Sequence, residues 1–255
     1  MILLSVLIAM AMSNAEEPRR EVDSSSRIPK SVHMEERERS EVRKIQLGYG
    51  ECVVKKQREA ARHFVLTPDL EGRAWDRAIA KVGDGYCLVE AAKANHGVEM
   101  RFPADTMRYA LADALVRSEF PVGAPVSLKN AGAIKQPTLD ESKYRPYPSR
   151  KPKQKDLDEL AEARRKQLGL IYLAQFGECV ARADTVNSHG LLTASPDSPQ
   201  ESAAFASLKP VLAQCLPVGQ TLSFNKATLR GTIAMNFYRL AHAPHVANAA
   251  IGATK

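Results

Sequence analysis

Beyond its first dozen residues the sequence has no long apolar run, which excludes a polytopic membrane protein. Aromatic residues are scarce at 6%, with Trp75 the single tryptophan. There is no CxxC pair, so thiol–disulfide catalysis is disfavoured, and no close Cys/His pairing of the kind a zinc site needs. GxSxG, HExxH and P-loop signatures are also absent. Lys and Arg exceed Asp and Glu by 36 to 29, a net +7. That excess is too mild to indicate specific nucleic-acid binding. What remains is a chain of 255 residues, 44% apolar and 25% charged, the composition of ordinary globular protein.

Ile2 to Met12 is apolar except for Ser5. As a helix this run spans about 16 Å, short of a hydrocarbon core of about 30 Å. Ser13-Asn14-Ala15 then places small residues at the −3 and −1 positions of a cleavage site, and Glu16-Glu17-Pro18 ends the apolar character. The pattern predicts a secretory signal peptide over 1–15 and a periplasmic or secreted protein with no transmembrane span after cleavage. An N-terminal anchor or a buried strand is the alternative. No Lys or Arg precedes the run, so either the α-amino group supplies the positive charge or the true start lies upstream.

The rest of the chain contains one pattern twice. Gly50-Glu51-Cys52-Val53 returns as Gly177-Glu178-Cys179-Val180, after Tyr49 and Phe176 respectively. His63 to Thr67 matches His189 to Thr193, and Cys87 matches Cys215. Met100 to Arg117 aligns without gaps to Leu222 to Arg239, with Phe102/Phe224, Thr106/Thr228, Arg108/Arg230, Ala112/Ala234 and Arg117/Arg239 identical. Five identities in eighteen positions exceed the roughly one expected by chance. The reading is a duplicated module over 41–120 and 157–241. A charged lead-in (16–40), a Pro-rich basic linker (121–156) and a flexible tail (242–255) surround the two copies.

Modules of about 80 residues are marginal for a single core and often need a staple. The four cysteines fall two per module: Cys52 and Cys87 are 35 positions apart, Cys179 and Cys215 are 36. Equal placement in an exported protein argues for one intramodule disulfide each. Closing such a loop stabilises by about 3–4 kcal/mol in the chain-entropy model.

The fold class expected is mainly α, two repeated small helical modules. Met107, Leu111 and Leu115 mark one buried helix face, as do Leu229, Ile233, Phe237 and Leu240. Pro103 and Asn225 suit the starts of these helices, and Arg117 and Arg239 their C-terminal ends. A second helix in each module carries the first cysteine; Gly50 and Gly177 interrupt it, unless they permit close approach of a neighbour. Between the cysteines lie helices over 74–82 and 201–215, with Pro210 kinking or ending the latter. Val98–Phe102 and Thr221–Phe224 read as short extended pieces.

Residues 16–44 hold eight acidic and eight basic side chains, a solvated composition. From 143 to 155 the linker carries Lys143, Arg145, Arg150, Lys151, Lys153 and Lys155 and no acid, interleaved with Pro146, Pro148 and Pro152. Such a strip suits an anionic surface such as lipid or lipopolysaccharide; a stiff solvated linker is the simpler reading. His63 and His189, after the first helix of each module, read as helix C-terminal caps or surface residues rather than bases. Glu51 with Arg108 and Glu178 with Arg230 read as buried ion pairs or as parts of a site.

The Gly-Glu-Cys-Val motif, the second cysteine, and Phe102 to Arg108 or Phe224 to Gly231 together resemble uncharacterised exported proteins of sphingomonad-type alphaproteobacteria. Those share a signal peptide and this cysteine-paired module in two copies. The resemblance implies a fold and an address and no activity. The function expected is a non-enzymatic, periplasmic binding or structural protein with no cofactor and no metal, whose partner is an envelope protein or an anionic surface. The alternatives are an enzyme with a site between the modules, using Glu51/Glu178, His63/His189 and Arg108/Arg230, and a surface tether through the basic linker.

Overall fold

A computed structural model describes residues 36–67, 70, 72–93, 104–124, 126–128, 130–146, 152–216 and 225–244. Outside them lie the apolar N-terminal run, most of the charged lead-in, the two extended pieces, Pro103, Arg150, Lys151 and most of the tail. The described chain is mainly α, with eight α-helices: α1 (Glu36–Leu66), α2 (Gly72–Val82), α3 (Gly85–Ala92), α4 (Ala104–Glu119), α5 (Gln154–Ala183), α6 (Thr185–Thr193), α7 (Pro199–Cys215) and α8 (Lys226–Ala241). A 3-10 turn spans Glu141–Tyr144.

Local chemistry sets the helix starts. Asp84 accepts from Cys87 N at 3.1 Å, Asp184 from Asn187 N at 3.0 Å, and Asn225 from Thr228 N at 2.8 Å. Ser198 accepts from Glu201 N at 3.1 Å, with Pro199 in the first turn of α7. Each cap satisfies an amide that the helix leaves unpaired. Lys56 also donates to Asp84, and that bond is the main cause of a carboxyl pKa below its ordinary value.

Ile45, Tyr49 and Val53 form the buried face of α1 at steps of four. The helix kinks at Gln57 (φ −140°, ψ 46°), and the face resumes with Ala61, Phe64 and Val65. At Asp184 (φ −141°, ψ 80°) the chain breaks between α5 and α6. By the register of the cysteine motifs, Gln57 and Asp184 are the same position. α1 packs along α4, and α8 lies against α4, α5, α6 and α1. One hydrophobic core runs through all eight described α-helices.

Gly50 and Gly177 occupy the closest helix contacts. A Cβ on Gly50 would fall 2.8 Å from the carbonyl carbon of Ala110 and 3.2 Å from the Ala114 methyl. One on Gly177 would fall 2.6 Å from Thr232 O and 2.7 Å from Asn236 Nδ2. Ala110 aligns with Thr232 and Ala114 with Asn236, so each glycine meets the same two positions of the following helix.

Both expected disulfides are present, Cys52–Cys87 tying α1 to α3 and Cys179–Cys215 tying α5 to α7. They differ in access. Cys87 is fully buried, whereas Cys179 is exposed. Thiol attack requires access to a sulfur, so limited dithiothreitol should open Cys179–Cys215 well before Cys52–Cys87. Timed alkylation and peptide mass analysis will read the order; simultaneous opening would contradict it.

The structure changes the expectation for α8 and narrows the one for α7. The buried face expected on α8 is not a stripe, because every residue from Leu229 to Leu240 is buried. Pro210 does not end α7, which continues to Cys215. Ala206 and Pro210 lie on its exposed side, where water can satisfy the carbonyl that proline leaves unpaired. The stretch before the 3-10 turn is a strap packed against the helices. Leu128 and Ala131 are buried, and Arg182 of α5 donates to the carbonyls of Ala131 (2.9 Å) and Gly132 (2.7 Å). Gln136 bonds Glu178 and Asn236 at 2.5 and 3.0 Å.

Candidate functional site

The polar residues singled out in the two repeats go to different places. His63 is exposed in the last turn of α1. His189 is half-buried, its Nε2 2.7 Å from the Phe120 carbonyl and its ring stacked on Phe237. Glu178 pairs with Arg182 at 2.8 Å, not with Arg230. Glu51 points to the outside of α1, in a shallow groove with Arg117. Desolvation raises its pKa, with Arg117 opposing. Arg108 and Arg230, the repeated arginines, each bind backbone at the end of the preceding helix: Arg108 at Phe64 O (2.9 Å) and Thr67 O, Arg230 at Leu192 O (2.9 Å). Arg108, Arg230 and Glu51 line three separate clefts, and none of the three clefts holds a second member of the six.

Arg230 belongs to a buried ion network. It donates to Asp113 at 2.7 and 3.1 Å and to Glu201 at 2.8 Å. Arg43 binds the same Glu201 oxygen and Asp197. Arg117 lies 3.7 Å from Asp113 and donates to Ala194 O. Burial alone would depress the Arg230 pKa; Asp113 and Glu201 outweigh it and hold it above its ordinary value. Three arginines face three carboxylates, so the network is neutral, and its bidentate geometry repays part of the desolvation cost. It joins α1 and α4 to α7 and α8 and reads as structural. Sequence reasoning noted Arg230 and Arg117 but missed Arg43, Asp113, Asp197 and Glu201. The Ser198-x-x-Glu201 spacing carried a capping signal. Indeed Glu201 accepts from Asp197 N at 2.9 Å, yet nothing local marks the carboxylate as the partner of two arginines.

A second cluster centres on Glu119 at the end of α4. Its carboxylate accepts from Tyr238 OH at 3.0 Å, lies 3.0 Å from His242 Nε2, and has Arg62 at 3.5 Å. Burial, and then the bond to Glu119, push the Tyr238 phenol far above its ordinary pKa.

The largest of the three clefts, about 540 Å³, opens where α2, α4, α5 and α8 meet the strap and the 3-10 turn. Its volume falls in the range of small-molecule sites. Trp75 and Tyr109 supply aromatic surface, and Leu170 and Met235 aliphatic surface. Among the described residues, Arg108, Lys143 and Arg239 bring positive charge and Asp105 a carboxylate. The Arg108 guanidinium stacks over Phe64 and Trp75, 4.8 and 5.1 Å from the ring centroids, while its backbone acceptors fix its plane. Arg239 donates to Lys135 O on the strap. Tyr109 OH lies 3.3 Å from Thr232 Oγ1, and burial raises its phenol pKa against that bond. Burial likewise raises the Asp105 carboxyl, against the pull of Arg108.

Of the basic residues expected to form an anionic-surface strip, Lys143 lines this cleft. Arg145 and Lys153 are exposed, and Lys155 lies on α5, 3.7 Å from Glu159. Among the described residues no group of three or more His, Cys, Asp or Glu is placed to hold a metal, and no helix is long and apolar enough to cross a membrane. The cleft was not legible in advance, because its walls come from segments far apart in sequence. Trp75 as the lone tryptophan and Lys143 in the basic run were the available signals. No protein family, curated protein or solved structure matches this chain.

Proposed function

We propose that the protein is exported to the periplasm and works there as a non-enzymatic binding protein, built from a duplicated disulfide-stapled unit and allied to exported sphingomonad-type proteins. The two disulfides carry this reading. Paired cysteines that bridge helices, with no CxxC motif, belong to oxidising compartments. The apolar run Ile2–Met12 and the small residues before Glu16 supply an address that agrees with it. Binding is favoured over catalysis because the candidate acid, base and cationic side chains disperse to separate surfaces, whereas a catalytic constellation must converge. Duplication is supported by Gly50 and Gly177 meeting aligned positions, by the breaks at Gln57 and Asp184, and by the matching disulfides.

The address is testable directly. Residues 1–40 fused to a phosphatase that lacks its own leader, and that is active only after oxidation outside the cytoplasm, should give an active, processed enzyme in a Gram-negative host. Inactive, unprocessed fusion retained in the cytoplasm would contradict export.

A further inference from the structure

We infer that the cleft where α2, α4, α5 and α8 meet the strap binds one small neutral carbohydrate, a mono- or disaccharide. The inference rests on the binding-protein reading and adds the ligand class. Its basis is hydrogen-bonding capacity that the fold leaves unused on the cleft wall. Asp105, in the first turn of α4, has no hydrogen-bond or ion-pair partner among the described residues. Neither has Gln167 of α5 nor Thr138 of the strap. One turn further along α4, Tyr109 OH and Thr232 Oγ1 meet at 3.3 Å. Two hydroxyls that share one bond leave one proton without an acceptor. The cleft therefore calls for a donor at Asp105, which when ionised can only accept, and for an acceptor at the Tyr109–Thr232 pair; Gln167 and Thr138 take either. An ammonium serves Asp105 but not the hydroxyl pair, and an oxyanion serves the hydroxyl pair but not Asp105. A sugar hydroxyl donates and accepts at one atom, so a polyol meets every demand at once. An apolar ligand would cover these groups unmet, at a cost in affinity. Trp75, Leu170 and Met235 line the same cleft and offer apolar surface to the C–H faces of a sugar ring. The volume of about 540 Å³ admits one or two such rings.

Trp75, the single tryptophan, makes the cleft its own reporter. The full disulfide-bonded chain would be titrated with glucose, galactose, mannose, xylose, N-acetylglucosamine, maltose and cellobiose while Trp75 emission and Tm are followed. The expected result is a saturable change in emission at one sugar per chain for at least one of them, with a rise in Tm. Its Kd should hold within about two-fold between about 20 and 500 mM sodium chloride, because a neutral ligand gives the salt no charge to screen. Asp105→Asn, which removes the charge and half the accepting capacity, should weaken that sugar about ten-fold, and Gln167→Ala about three- to ten-fold. Lys166→Ala, on the exposed side of α5, should leave it unchanged. Gln167→Ala carries the test if Asp105→Asn does not fold. Binding that neither variant weakens, or that falls steeply with salt, would overturn the inference. So would no response to any of the seven sugars, and that failure would leave the binding-protein reading standing. Maltose and cellobiose should be recovered intact by mass spectrometry. Their cleavage would overturn the non-enzymatic reading and leave the ligand class in place.

Discussion

Gly177→Ala should cost about 2–4 kcal/mol of unfolding free energy, a large part of the 5–15 kcal/mol typical of a domain. The sign is opposite to helix propensity, by which alanine improves on glycine inside a helix by about 1 kcal/mol. Here the added methyl would sit 2.6 Å from Thr232 O and 2.7 Å from Asn236 Nδ2, so α5 and α8 must move apart. Separation would also disturb Asn236, which donates to Thr232 O at 2.9 Å and accepts from Gln136. Gly169 on the same helix is the control, since a Cβ there meets nothing within 4 Å. Gly169→Ala should stabilise by up to about 1 kcal/mol. Urea unfolding with intact disulfides, followed by Trp75 fluorescence and far-UV circular dichroism, measures both. A Gly177→Ala protein as stable as Gly169→Ala would refute the close α5–α8 approach.

Glu201→Ala should destabilise by about 3–5 kcal/mol, because it leaves buried arginines without their carboxylate. Glu201 is fully buried and takes both Arg43 and Arg230. Without it the network passes from neutral to a net +1, with three arginines facing Asp113 and Asp197. The same substitution removes the acceptor of Asp197 N at the start of α7. Glu159→Ala provides the contrast. That carboxylate is solvent-exposed beside Lys155, and its loss should change stability by less than about 0.5 kcal/mol. Thermal and urea unfolding of the two variants would decide. A Glu201→Ala protein within about 1 kcal/mol of the parent, a margin well under the cost of orphaning a buried charge, would show that the network does not hold α1 and α4 to α7 and α8.

The parts of the fold legible in the sequence are those set by local or repeated signals. Asn225 capping α8 needs only its own side chain and the third following amide, so composition and position sufficed. The disulfide pairs followed from near-equal spacing, 35 and 36 positions. The close-approach role of Gly50 and Gly177 was visible as an option, because glycine inside an apolar helical stripe must either weaken the helix or admit a neighbour. Burial around the whole of α8 was not legible. Arg230, Thr232, Asn236 and Arg239 interrupt its apolar pattern, and they are accommodated only because distant groups satisfy them. The same holds for Glu201, which reads locally as a capping residue and becomes an ion-pair hub only when α1 and α8 are brought to it. Of the two outcomes expected at Pro210, a kink or an end, the helix does not end there, because on a solvated face water replaces the lost hydrogen bond. The cleft draws Trp75, Arg108, Lys143 and Met235 from four separate segments, so no window of sequence could display it.

Export and stapling can be tested together by a non-reducing peptide mass map of the protein recovered from its native host. The expected map has an N-terminus at Glu16, linked peptides for Cys52–Cys87 and Cys179–Cys215, and no alkylatable thiol before reduction. An uncleaved N-terminal run with four free thiols would contradict export and stapling together, and would place the protein in a reducing compartment.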